Sequence, residues 1–191
     1  MSEREAIFYG MIENIDENVG TLRDWLEEEG LSEKTLFIFT TDNGTASGEN
    51  LFSGGMRGKK GSEYDGGHRV PFFMHWPEGN LDGGRDVDTL TAHIDILPTL
   101  IDLCGLVGPM DYSFDGRTLT PLLYGTPTPW PDRVVITDSQ RVRDPIKWRK
   151  SSVMTDRWRL INGKELYDIE ADPEQKTDIS KRNPETVERL R

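Results

Sequence analysis

Three short stretches hold residues whose types and spacing suit the handling of an anion. Asp42-Asn43-Gly44 closes the apolar run TLFIFTT at 35–41. One carboxylate and one amide oxygen are hard donors, matched to calcium or magnesium and not to soft metals. Two such ligands cannot hold calcium alone, because the ion takes about six to eight oxygens. The same tripeptide also reads as an ordinary turn, since Asn-Gly is a common turn dipeptide. The second stretch, GGMRGKKG at 54–61, places Arg57, Lys59 and Lys60 in a glycine-rich loop. Glycine lets a backbone approach an anion closely, and lysine supplies a compact point charge. The glycine spacing, and the absence of Ser or Thr after the lysine, exclude a Walker A loop. The plain alternative is a solvated loop. The third stretch, YDGGHRVP at 64–71, adds Asp65, His68 and Arg69.

These stretches sit in an acidic chain. Its 191 residues are 35% hydrophobic and 30% charged, with a net charge of −11. One domain with a small appendage is the natural size. The charge argues against a nucleic-acid or anionic-membrane partner, so positive charge for an anionic ligand must be gathered locally. One cysteine, Cys104, excludes an internal disulfide framework and a multi-cysteine zinc site. No apolar run reaches the roughly 20 residues of a membrane span. The N-terminus lacks a signal-peptide layout, and the compartment is left unassigned.

The elements that must position the candidates follow from periodicity. Residues 3–29 read as one amphipathic helix with a single buried stripe through Phe8, Met11/Ile12, Ile15, Val19, Leu22 and Trp25/Leu26, stopped at Gly30. Glu27–Glu29 reads as its solvated end. The run at 35–41 is β-prone and continuously apolar, as in a parallel-sheet strand covered on both faces. Val70–Trp76 forms a second strand closed by Pro77, and residues 91–103 a helix kinked or broken at Pro98. Val134–Thr137 makes a third strand. From about 141 the segments SSVMTD, WRLIN and ELYDI alternate between turns, which predicts a small antiparallel sheet, and the tail predicts a helix after Pro184. The fold class is therefore α/β, a sheet sandwiched by helices over 1–140, with an antiparallel subdomain over 141–191. A chain that opens on a long helix and offers only three strands before that subdomain is expected to lack strands upstream.

Taken in order, DNG and then GKKGSEYDGGHRVPFFMHWP closely resemble the sulfatase pattern DNG…GxKGxxxEGGxRVPxxxxWP. HIDILPTL, DGRTL, PLL, TDRWRLI and ELYDI…DP follow in the family's order and extend the resemblance over essentially the whole chain. The resemblance implies an alkaline-phosphatase-like fold and a sulfuric ester hydrolase. It assigns Asp42 and Asn43 to calcium, and Lys60 to the sulfate oxygens as a catalytic and substrate-binding residue, with Lys59 the less favoured choice. It also implies a formylglycine nucleophile and an aryl or carbohydrate sulfate as substrate.

Three features depart from the pattern. Asp65 replaces the family's usual glutamate, and the Lys59-Lys60 doublet adds a charge without an assigned purpose. Formylglycine arises from a Cys/Ser-x-Pro-x-Arg motif, and no cysteine or serine of this chain lies in one; Cys104 is followed by Gly-Leu. The nucleophile and the other calcium ligands are expected in a missing N-terminal portion, which is then a partner of this one. This chain alone is expected to be inactive.

His68 is a candidate substrate contact or an orienter of its loop. Arg69 is expected to pair with Asp65 or the sheet edge. His75 reads as structural, His93 as opening its helix and Asp95 as a structural carboxylate. Cys104 reads as a buried small apolar residue, and Trp130, Trp148 and Trp158 as core. Two other readings stay open: a phosphodiester or phosphonate hydrolase on the same scaffold, and a non-catalytic remnant that binds anions or a partner.

Overall fold

The computed structural model describes residues 2–107 and 113–191. Helix α1 (Glu3–Glu28) begins on a capping box in which the Ser2 hydroxyl accepts from the Glu5 N–H and the Glu5 carboxylate accepts from the Ser2 N–H. It ends where left-handed Gly30 lets the Leu31 N–H reach the Leu26 carbonyl at 2.8 Å. The expected stripe is not buried. Phe8, Val19 and Leu26 are half-buried, but Met11, Ile12, Ile15, Leu22 and Trp25 stay 47–50% exposed. The periodicity is real; the surface that would cover it is not among the described residues.

Strand β1 (Phe37–Thr40) pairs antiparallel with β2 (Phe72–His75), Phe37 opposite His75 and Thr40 opposite Phe72. The expected parallel neighbour of β1 is absent among the described residues, because an apolar run reports burial and not strand direction. Between these strands lies the short helix α2 (Asp65–His68).

A 3₁₀ turn at His93–Asp95 leads into α3 (Ile96–Leu103). Pro98 neither kinks nor breaks it: it sits in the first turn, where an N–H has no intrahelical acceptor to lose. Buried Asp95 ties this corner together. Its carboxylate accepts from Ala92 N–H (2.8 Å), Arg117 N–H (2.9 Å) and both terminal nitrogens of Arg133 (2.8 and 2.5 Å). Burial alone would raise its pKa, but these donors outweigh burial and hold it below the usual carboxylate range. The structural role expected for Asp95 holds. Cys104, at the end of α3, is exposed, not buried: α3 turns its packed face elsewhere and leaves this cap residue in solvent.

After the short helix α4 (Thr120–Leu123) come β3 (Val135–Asp138), β4 (Ser151–Met154), β5 (Trp158–Ile161) and β6 (Glu165–Asp168), one antiparallel meander in the order β3-β4-β5-β6. The meander therefore begins at β3, upstream of the change in texture at 141. Left-handed Asn162 and Gly163 make the β5–β6 turn, closed by the Lys164 N–H on the Ile161 carbonyl (2.9 Å).

Alternation along β4–β6 gives the sheet two different faces. Val153, Leu160 and Leu166 pack with Leu190 of α5 (Pro184–Leu190), flanked by Trp148, Trp158, Ile179 and Val187. Trp148 and Trp158 thus edge the core as partly buried residues. The other face carries Arg159 and Tyr167 and meets the glycine-rich loop. No helix among the described residues is long and apolar enough to cross a membrane.

Candidate active site

The site is built from the loop that joins β1 to β2, and glycines let it fold back on itself. The Gly44 N–H donates to the Gly67 carbonyl at 3.0 Å, and the Lys60 N–H to the Thr45 carbonyl at 2.8 Å. A side chain at Gly44 would run into the Gly66 carbonyl, so this approach needs glycine. These contacts bring Asn43, Lys60 and His68 onto one cleft of about 310 Å³, whose far wall is Thr137–Arg141 and Lys150. Asp42 stands exposed beside it, and the Asn43 amide donates to its carboxylate. His93 steadies the approach to the pair, its Nε2 2.9 Å from the Thr41 carbonyl, which agrees with its place at the start of the 3₁₀ turn.

The three cations of the loop divide their work, which gives the extra charge of the Lys59-Lys60 doublet a place. Arg57 turns to the C-terminal sheet, donating to the Tyr167 hydroxyl (3.1 Å) and the Gln175 carbonyl (3.0 Å), with its guanidinium 3.8 Å over the Tyr64 ring. Lys59 is bound to Glu49 at 2.6 Å. Lys60 makes no ion pair among the described residues and faces the cleft.

Asp65 is fully buried and pairs with Arg159, whose Nε donates to it at 3.1 Å. Arg69, expected to pair with Asp65 or the sheet edge, is exposed and makes no ion pair among the described residues. The carboxylate faces into the fold, and Arg159 of β5 reaches it from the sheet. The Gln175 amide oxygen also accepts the Asp65 N–H at 2.9 Å. Tyr64 and Tyr167 both donate to Glu165, at 2.8 and 2.6 Å. Burial and that carboxylate push the Tyr64 phenol up to about 12 and raise Tyr167 further. This network locks the loop onto the meander.

His68 Nε2 lies 3.2 Å from the Glu63 carbonyl. A carbonyl only accepts, so Nε2 carries the proton and Nδ1 keeps its lone pair. Burial pushes the imidazole below its ordinary pKa, and the nearby Asp65 only partly opposes this. His68 therefore orients its loop and presents a neutral ring to the cleft. His75 is exposed at the end of β2, away from these groups.

Asp42 and Asn43 fit two places of a hard-oxygen cation set, adjacent and beyond the carboxyl end of a strand. They do not complete one: no cluster of three or more His, Cys, Asp or Glu suited to a metal occurs among the described residues. The far wall of the cleft went unseen in the sequence. Its cations Arg141 and Lys150 belong to no motif, and the only signal was a basic segment, RVRDPIKWRK, in an acidic chain.

Comparisons with known proteins show which family and fold this chain shares. The family described as Sulfatase matches residues 6–106, and the one described as N-sulphoglucosamine sulphohydrolase, C-terminal, matches 59–189. An arylsulfatase of Clostridium perfringens is 30% identical over the whole chain, which spans 39% of that protein. Mouse steryl-sulfatase is 39% identical over 60% of the chain and 19% of its own length. The solved structure of Ps i-CgsB in complex with k-i-k-neocarrahexaose superposes with a TM-score of 0.84 at 26% identity, covering 100% of this chain and 42% of that one. With the ordered motifs, the α/β architecture and these matches, the chain belongs to the sulfatase family, with its alkaline-phosphatase-like fold, and corresponds to the family's C-terminal part.

Proposed function

We propose that this chain supplies the calcium-and-lysine part of a sulfuric ester hydrolase site acting on aryl or carbohydrate sulfates. The observation that carries the reading is the convergence of Asn43, Lys60 and His68 on one cleft, with Asp42 bonded to Asn43 at its edge. Asp42 and Asn43 would hold the cation through one carboxylate and one amide oxygen. A bound calcium ion would supply positive charge against the sulfate oxygens. Lys60, which pairs with no carboxylate among the described residues, places its ammonium group on those oxygens and stabilises charge that develops during ester cleavage. Lys59 remains on Glu49 and Arg57 on the sheet, so neither competes for the substrate. His68 fixes the loop and keeps a neutral ring in the cleft.

The formylglycine nucleophile and the remaining ligands come, in this reading, from a complementary N-terminal segment. Two features favour such a partner: the half-exposed apolar stripe of α1 and the edge of β1 that has no strand partner among the described residues. Joining the chain to a segment that carries the Cys/Ser-x-Pro-x-Arg motif should give calcium-dependent hydrolysis of an aryl sulfate, whereas the chain alone gives none above background. Turnover by the chain alone would overthrow the assignment of the nucleophile to another segment. Preference for an aryl phosphate diester by the joined protein would move the chemistry to phosphoryl transfer.

A further inference from the structure

Continuous with the Lys60 cleft, and sharing Lys60, Gly61, Ser139, Gln140, Arg141 and Lys150 with it, lies a larger depression of about 520 Å³ that reaches on to Arg149. Its cations are Lys60, Arg141, Arg149 and Lys150, and no carboxylate lines it. None of the four side chains makes an ion pair among the described residues. In a chain of net charge −11, four uncompensated cations on one concave surface are a concentrated positive field.

The wall that carries them is held in place. Gln140 staples the loop through its amide, accepting from the Ile146 N–H (3.0 Å) and donating to Asp138 (2.7 Å) and the Ile146 carbonyl (3.0 Å). The Ser139 hydroxyl donates to the carbonyl of Gly61, the residue next to Lys60, at 3.2 Å. Trp148 and Lys150, on either side of Arg149, have left-handed φ values of 67° and 50°. Residues with side chains persist there only where their surroundings over-determine the backbone. Here the Trp148 ring occupies the space a side chain at Gly163 would need.

We propose that this depression is a second anion subsite, and that it selects sulfate esters carrying another anionic group over those with a single charge. Arg141 and Arg149 offer forked guanidinium donors to a planar or tetrahedral oxyanion, and Lys150 adds a point charge. The second group is a sulfate or a carboxylate, since both satisfy these donors. The inference rests on the reading of Lys60 as the contact to the scissile sulfate.

The test is equilibrium binding of three disaccharides to the chain: one with two sulfates, one with a sulfate and a carboxylate, and one with a single sulfate. The dianionic ligands should bind about tenfold more tightly or better, as expected for one or two charge-assisted contacts. Which dianion binds better identifies the second group. Arg149→Gln should cut the advantage and leave the single-sulfate ligand within about twofold, because Arg149 is exposed, makes no ion pair among the described residues and does not line the Lys60 cleft. In the unmodified protein, rising salt should shrink the same advantage. Equal affinity for all three ligands, or an advantage indifferent to salt and to Arg149→Gln, overturns the subsite. Lys60→Ala should weaken all three. If it weakens none while the dianion advantage survives, the subsite stands and the sulfatase reading of Lys60 falls.

Discussion

Lys59 and Lys60 are neighbours in sequence and opposites in use. The carboxylate of Glu49 neutralises the first, while the second makes no ion pair among the described residues and lines the cleft. A similar division applies to Tyr64, whose proton is held by burial and Glu165 until about pH 12. An unfolded tyrosine ionises near about 10. Above that value the unfolded chain releases a proton that the folded chain keeps, so Tyr64 contributes stability that is full below about pH 10 and lost as pH rises towards about 12. Urea unfolding at about pH 9 and about pH 11 should show this fall, and Tyr64→Phe should reduce it; an unchanged alkaline slope would contradict the assignment. Asp42, Asn43 and Lys60 stand out in the sequence as candidates because they sit in short motifs. The sequence did not carry the Asp65–Arg159 pair, whose members lie 94 positions apart.

At the scale of elements, the C-terminal meander was legible strand by strand, since period-two alternation and an Asn-Gly turn are local signals. The direction of β1 and the exposure of α1 were not, because both depend on what lies beside them. One buried feature on each face of the meander holds it in place, the Asp65–Arg159 pair towards the loop and the Leu160 cluster towards α5. Asp65→Ala leaves Arg159 buried without its counter-charge and should cost about 3–5 kcal/mol in chemical unfolding. Replacing both members with apolar residues of similar volume should cost clearly less. On the opposite face, Leu160 is fully buried against Leu166 and Leu190. Leu160→Ala should cost about 2–5 kcal/mol through lost burial and the cavity left behind. A loss below about 1 kcal/mol at either site would mean that the face is not packed as described.

The whole molecule is an acidic sulfatase-family chain with four cations that make no ion pair among the described residues on one concave surface, and with an apolar helix face half open to solvent. That face should bind a hydrophobic dye in the isolated chain and lose it when the complementary segment is present; dye binding unaffected by the segment would count against the partnership. The claim on which the rest depends is that Lys60, not its neighbour, meets the scissile sulfate. It is tested most directly by aryl sulfate turnover of the chain joined to its nucleophile-bearing segment, comparing Lys60→Ala with Lys59→Ala. Lys60→Ala should lower kcat/KM by about 100-fold or more, as expected when one donor to developing charge is lost, with Lys59→Ala within a few-fold of the parent. Full turnover in Lys60→Ala, or an equal loss in both variants, would contradict the account.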